Sequence, residues 1–98
     1  MYYVYVLQSL KDKKFYIGYT SDLRTRLDRH NKGRVESTKN RTPFKLIHYE
    51  AFLNKNDALI REKWLKTGWG KNQIETMLKN YLGLVVKNHS PRNFAENA

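Results

Sequence analysis

Two short runs of aromatic and β-branched residues, Tyr2 to Leu7 and Phe15 to Ile17, flank a polar stretch, Ser9 to Lys14, that carries Asp12 among three lysines. Residues of that kind favour strands, and a polar break of that length between two such runs predicts an antiparallel hairpin. Side chains alternate along a strand, so Tyr3, Tyr5 and Leu7 share one face while Tyr2, Val4 and Val6 share the other. Tyr5 and Tyr16 are separated by an odd number of positions, which permits a register with both on one face, directly opposite each other. A slip of one residue would part them.

The chain that follows reads as alternating helix and strand. Gly18 is expected to end the second strand, and Thr20, Ser21 and Asp22 offer N-cap oxygens for a helix over Leu23 to Asn31 that Gly33 stops. On it Leu23, Leu27 and Asn31 recur at helical spacing, and Arg26 and His30 form a second pair one turn apart at the edge of that stripe. Asn31 to Lys45 is a long basic connection with Lys32, Arg34, Lys39, Arg41 and Lys45 against the single acid Glu36. Leu46 to Phe52 then predicts a third strand, with Ile47, Tyr49 and Ala51 alternating on one face. Asn54 is the expected N-cap of a helix through Lys66, with Asp57 in its first turn. Ala58, Glu62 and Leu65 fall on one line of that helix, a carboxylate between apolar neighbours. Gly68-Trp69-Gly70 reads as a helix break, after which Asn72 and Glu75 resemble a capping box for a last helix striped by Ile74, Met77, Leu78, Tyr81, Leu82 and Val85. The fold class expected is α/β (α+β): a three-stranded antiparallel sheet flanked by helices, in the order β-β-α-β-α-α.

Ninety-eight residues, 40% of them apolar, suffice for one hydrophobic core. The expected division is a domain over 1–85 and a flexible tail over 86–98, where Ser90-Pro91 and three asparagines leave almost nothing apolar. Nineteen Lys and Arg against nine Asp and Glu give a formal charge of +10, which favours a polyanionic partner, nucleic acid first. With no cysteine, neither a disulfide framework nor a thiolate zinc site is available, so any metal falls to oxygen or imidazole. The N-terminus lacks the pattern of a signal peptide and no run approaches the ~20 apolar residues of a membrane span, so a cytoplasmic location without membrane contact is expected.

Phosphodiester hydrolysis needs a base for the attacking water, positive charge on the phosphoryl oxygens and often a divalent metal on a carboxylate. Taken singly, each candidate has a plainer explanation. A strand tyrosine is ordinarily a packed aromatic; Arg26 reads as a surface arginine, and Glu62 as the partner of Lys66 one turn on. His30 is equally a proton-transfer group or a helix-end histidine favoured by the dipole.

Taken in order they form a series. Tyr3-Val4-Tyr5, then Tyr16-Ile17-Gly18, Asp22-Leu23-Arg24-Thr25-Arg26-Leu27 and His30 resemble the GIY-YIG nuclease superfamily. The likeness continues through Arg41-Thr42-Pro43, Leu46-Ile47-His48-Tyr49-Glu50 and Ala58-Leu59-Ile60-Arg61-Glu62-Lys63, spanning Tyr2 to Tyr81, and is nearest to the small stand-alone bacterial members. It implies a metal-dependent endonuclease that hydrolyses DNA phosphodiester bonds, structure-specific and at work in DNA repair or recombination, on branched or single-stranded forms. By the same resemblance Tyr5 and Tyr16 line the site and one helps to deprotonate the water. Arg26 stabilises charge on the phosphate, His30 relays a proton or orients the phosphate, and Glu62 binds Mg2+ or Mn2+. The basic loop residues Lys32, Arg34, Lys39, Arg41 and Lys45 are the expected backbone contacts. Tyr3 and Val4 stand where the family name has Gly and Ile, and Tyr19 stands where excision-repair members have a lysine. The competing expectation is a non-catalytic nucleic-acid-binding module that keeps the fold and stacks bases on aromatics such as Trp69. Trp69 also reads as an aromatic capping the core.

Overall fold

The structure, a computed structural model, describes residues 1–84. The expected tail and Val85 lie outside the described residues. The elements run β1 (Tyr2–Ser9), β2 (Phe15–Thr20), α1 (Leu23–Asn31), β3 (Phe44–Phe52), α2 (Lys55–Leu65), α3 (Gly68–Met77) and the single turn α4 (Lys79–Leu82), with a 3-10 turn at Lys39–Arg41. The expected antiparallel sheet forms, in the order β2-β1-β3, so the hairpin's first strand lies at the centre.

A central strand has to be apolar on both sides, and β1 meets that requirement. Val4 and Val6 on one face pack with Ala58 and Leu65 of α2 and Ile74 of α3, while Tyr5 and Leu7 on the other pack with Phe44, Leu23 and Leu27. Helices therefore cover both faces: α2 and α3 one, α1 the other. Leu65 and Ile74 are fully buried, and truncating either to Ala costs about 2–5 kcal/mol.

Four local expectations are corrected. Gly18 lies inside β2, which runs on to Thr20. Ile47 and Tyr49 do not share a face, because a bulge opposite Val6 and Leu7 inserts one extra residue into β3 and breaks its alternation. Tyr49 lies opposite Tyr5, whereas Ile47 packs against the Val4 and Val6 cluster. Gly68-Trp69-Gly70 does not break a helix but begins one: the Thr67 side chain caps the Gly70 amide, and α3 runs through Asn72 and Glu75. Gly70 is required there because a Cβ would strike the backbone of Leu65. Finally, the last apolar stripe is interrupted at Leu78, leaving Ile74 and Leu78 against the core and Met77 and Tyr81 exposed.

The long basic connection is tied down at the hairpin turn. Ser9 Oγ donates to the Arg41 carbonyl at 2.6 Å, the Leu10 amide donates to the Pro43 carbonyl at 2.8 Å, and Arg41 Nε donates to Asp12 at 2.8 Å. That guanidinium holds the Asp12 carboxyl down to about 2. Asn31, expected on the apolar stripe, is exposed and accepts a hydrogen bond from the Phe44 amide at 2.7 Å, joining the end of α1 to the start of β3.

Candidate active site

The register decides how the two phenols meet. Tyr5 pairs with Gly18 and Leu7 with Tyr16, so Tyr5 and Tyr16 share a face as expected but are diagonal neighbours, not opposite ones. Their ring centroids are 6.4 Å apart at 39°. The position opposite Tyr5 is glycine for a steric reason: a Cβ on Gly18 would collide with the Tyr5 hydroxyl and the end of the ring that bears it. Tyr5 thus folds down across its own sheet, 1% exposed.

From that cradle the Tyr5 hydroxyl reaches His30 Nε2 at 2.9 Å, and His30 Nδ1 reaches Thr38 Oγ1 at 2.8 Å. Thr38 Oγ1 in turn donates toward the Val35 carbonyl at 3.5 Å. One direction satisfies every group: Tyr5 donates to Nε2, a proton on Nδ1 goes to Thr38, and Thr38 donates onward. The imidazole is neutral in this arrangement. Burial, with Arg26 and Arg29 nearby, depresses His30 to about 4, so it is a core histidine and not the charged helix-end group of one expectation. His30 completes an aromatic nest, 5.0 Å from the Tyr16 ring and 5.9 Å from Phe44.

Around this hydroxyl the remaining candidates gather. Burial pushes the Tyr5 phenol up to about 12, helped by Tyr16, and Arg26 beside it pulls the other way. Glu62 is felt there as a smaller repulsion. Arg26 is delivered by α1, whose first turn is fixed by Asp22 accepting from the Thr25 amide at 3.2 Å. Glu62 comes from α2, where Asn54 is the cap as expected; its carboxylate is only 19% exposed and pairs with Lys66 Nζ at 3.0 Å. Ala58 and Leu65 on either side are fully buried. Residues from β1, β2 and α1 therefore converge on one hydroxyl, and Glu62 of α2 is felt there only as the weakest of the charges.

Residues 1–75 match the family model of the GIY-YIG catalytic domain. The chain belongs to the GIY-YIG family. It is 44% identical over 82 residues to the UPF0213 protein YsiG of Lactococcus lactis subsp. lactis, covering 83% of this chain and 78% of that one. A UPF0213 protein of Pediococcus pentosaceus is 39% identical over 84 residues, covering 85% and 87% of the two chains. Among solved structures, the solution NMR structure of the UPF0213 protein BH0048 from Bacillus halodurans superposes with a TM-score of 0.50 at 34% identity, over 79% of this chain and 85% of that chain. GIY-YIG domains are a nuclease family, so the fold is a nuclease fold and the substrate class it implies is nucleic acid.

Within this GIY-YIG domain the loop cations are distributed differently from Arg26. Lys32 pairs with Asp28 at 3.1 Å, Lys39 with Glu36 at 3.2 Å and Arg41 with Asp12, while Lys45 lies 5.2 Å over the Tyr81 ring. Arg34 is exposed. Arg26, partly buried, has no carboxylate partner among the described residues, and the Tyr16 hydroxyl makes no protein hydrogen bond among them. A partly desolvated, unneutralised guanidinium is a ready receptor for an anion. Sequence reasoning missed Thr38, a threonine in a polar loop with nothing to mark it, and it took Gly18 for a strand end. Pairing the hairpin with Tyr5 opposite Gly18 would have exposed the second error. Trp69 is 77% exposed and does not cap the core. No helix among the described residues is long and apolar enough to cross a membrane.

Proposed function

We propose that the chain is a divalent-metal-dependent endonuclease that hydrolyses DNA phosphodiester bonds, of the kind that processes branched or single-stranded DNA in repair or recombination. The observation that carries this reading is the Arg26 guanidinium, without a carboxylate partner among the described residues, beside a buried phenol that also feels the Glu62 carboxylate of α2.

Each group has a part its surroundings favour. Arg26 binds the scissile phosphate and opposes the charge that builds on its oxygens in the transition state. Tyr5, held as a phenol, donates to His30 and is a positioning residue; it sets the imidazole and the floor of the site. Tyr16, whose hydroxyl is unclaimed, orients the attacking water and in its ionised form takes its proton. Lys32, Arg34, Lys39, Arg41 and Lys45 follow the DNA backbone at longer range, with Lys32 and Lys39 each giving up a weak surface ion pair in exchange for phosphate.

Glu62 suits a hard cation. It is a carboxylate whose charge reaches the Tyr5 hydroxyl, and its partner Lys66 is half exposed, so the ion pair is readily exchanged. No three metal-ligating side chains cluster among the described residues, so Mg2+ or Mn2+ would be held through Glu62 with water and phosphate oxygens completing the shell. Such an ion supplies charge neutralisation at the phosphate and a more acidic water.

Purified protein with Mg2+ or Mn2+ is expected to nick branched or single-stranded DNA. Glu62→Ala and Arg26→Ala are each expected to cut the rate by about 10²-fold or more without lowering the thermal midpoint. Nicking that ignores both substitutions, or that persists in chelator, defeats the proposal. Salt-sensitive DNA binding without turnover would favour the binding-module alternative, which the exposure of Trp69 recommends.

A further inference from the structure

Against the outer edge of the hairpin lies a second surface that the catalytic reading does not use. An open groove of about 590 Å³ runs between β2 and the α2–α3 junction, with Phe15, Tyr16 and Ile17 on one wall and Lys66 and Lys71 on the other. Lys13 and Lys14 close its hairpin end, and a single acid, Glu75, stands among these four amines. β2 is the outer strand of the sheet, with β1 alone beside it. Tyr16 belongs to both the groove and the candidate active site, and Lys66 joins the two by its ion pair with Glu62.

The turn that presents Lys13 is unusual. Lys13 has φ +65°, a left-handed conformation that favours glycine or asparagine and that a lysine adopts at a cost in stability. That conformation closes the hairpin turn, with the Lys13 amide donating to the Ser9 carbonyl at 2.8 Å and its carbonyl accepting from Gln8 Nε2 at 3.1 Å, while the Lys13 side chain is exposed and makes no ion pair among the described residues. A groove with the half-buried Phe15 ring on one wall, on the α2–α3 side of the sheet, and amines at its rim suits a strand whose bases are free to stack while its phosphates meet the cations. A base-paired duplex offers no free base faces to such a wall.

We propose that this groove binds the single-stranded arm of a nucleic acid and leads it past Tyr16 to the active site, with Lys13, Lys14 and Lys71 on its phosphates. The assignment rests on nucleic acid being the substrate, as under the proposed function, and not on cleavage.

The test is binding of a short fluorescein-labelled oligothymidine and of a blunt DNA duplex, followed by anisotropy in chelator over a range of salt. Combining Lys13→Gly, Lys14→Ala and Lys71→Ala is expected to weaken oligothymidine binding by about 10-fold or more. It should also reduce the log–log salt slope by about 2, as expected for three lost phosphate contacts on a single strand. Duplex affinity is expected to change much less, and Lys55→Ala, remote from the groove lining, is expected to change neither. Lys13→Gly alone should weaken oligothymidine binding while melting no lower than the parent, which separates a binding role from a structural one. Unchanged oligothymidine affinity in the triple variant overturns the assignment, as does an equal loss on duplex. If the parent nicks DNA while oligothymidine affinity ignores these lysines, the groove fails and the nuclease reading stands. Lysine-dependent binding without nicking under any metal has the opposite meaning.

Discussion

Gly18 and His30 show how single positions set the site. Placing a Cβ at Gly18 forces the Tyr5 ring out of a cradle where it is 1% exposed. Gly18→Ala is therefore expected to destabilise the domain by about 1–3 kcal/mol and to abolish nicking with it, measured by urea unfolding and plasmid cleavage. His30 makes a prediction in pH. Its folded pKa of about 4 lies below the unfolded value of 6.5, so its stabilising contribution is whole above pH 6.5 and is lost as the pH falls through about 4. The protein is expected to be about 2 kcal/mol less stable near pH 5 than near pH 7 by urea unfolding, and His30→Gln is expected to flatten that difference. Tyr16→Phe keeps the ring and removes the unclaimed hydroxyl; loss of about 10²-fold in rate with unchanged DNA affinity would match its assigned part. None of this depends on Thr38 being recognisable in the sequence, yet Thr38 fixes which imidazole nitrogen carries the proton.

Helix α1 and strand β3 divide the work of positioning. Asp22 caps α1 from a β-region conformation, and the helix ends where Gly33 takes φ +70°, with the Gly33 and Arg34 amides returning to the carbonyls of His30 and Arg29. Both ends were readable in advance, because a carboxylate before a helical stripe and a glycine after it are local chemistry. Asp22→Ala is expected to cost about 1 kcal/mol by urea unfolding. It is also expected to lower activity further than that loss explains, since Arg26 and His30 both ride on α1. On the opposite face of the sheet Arg61 of α2 grips Glu50 of β3 through two bonds, at 2.8 and 3.0 Å, and His48 adds a third at 2.9 Å. Arg61 and His48 both draw the Glu50 carboxyl below its ordinary range. This brace fixes the helix that bears Glu62. No sequence pattern announced it, because the bulge in β3 decides which of its side chains face α2.

For the molecule as a whole, charge and topology act together. With a formal charge of +10 and most loop cations already paired, DNA affinity is expected to fall steeply with salt, and the slope should count the phosphates engaged. The order of elements, the caps of α1 and α2 and the alternating faces of the hairpin were fixed by nearest-neighbour chemistry, because propensity, capping and strand parity act over a few residues. That is why the fold and the shared face of Tyr5 and Tyr16 could be read from the chain alone. The diagonal offset of the two phenols, the burial that keeps Tyr5 protonated and His30 neutral, and the lack of an acidic partner for Arg26 among the described residues could not. Those depend on strand register and on what packs across 20 or more intervening residues, from Tyr5 to His30 for instance, 25 positions apart. Desolvation and hydrogen bonding over such separations exist only once the chain has closed on itself.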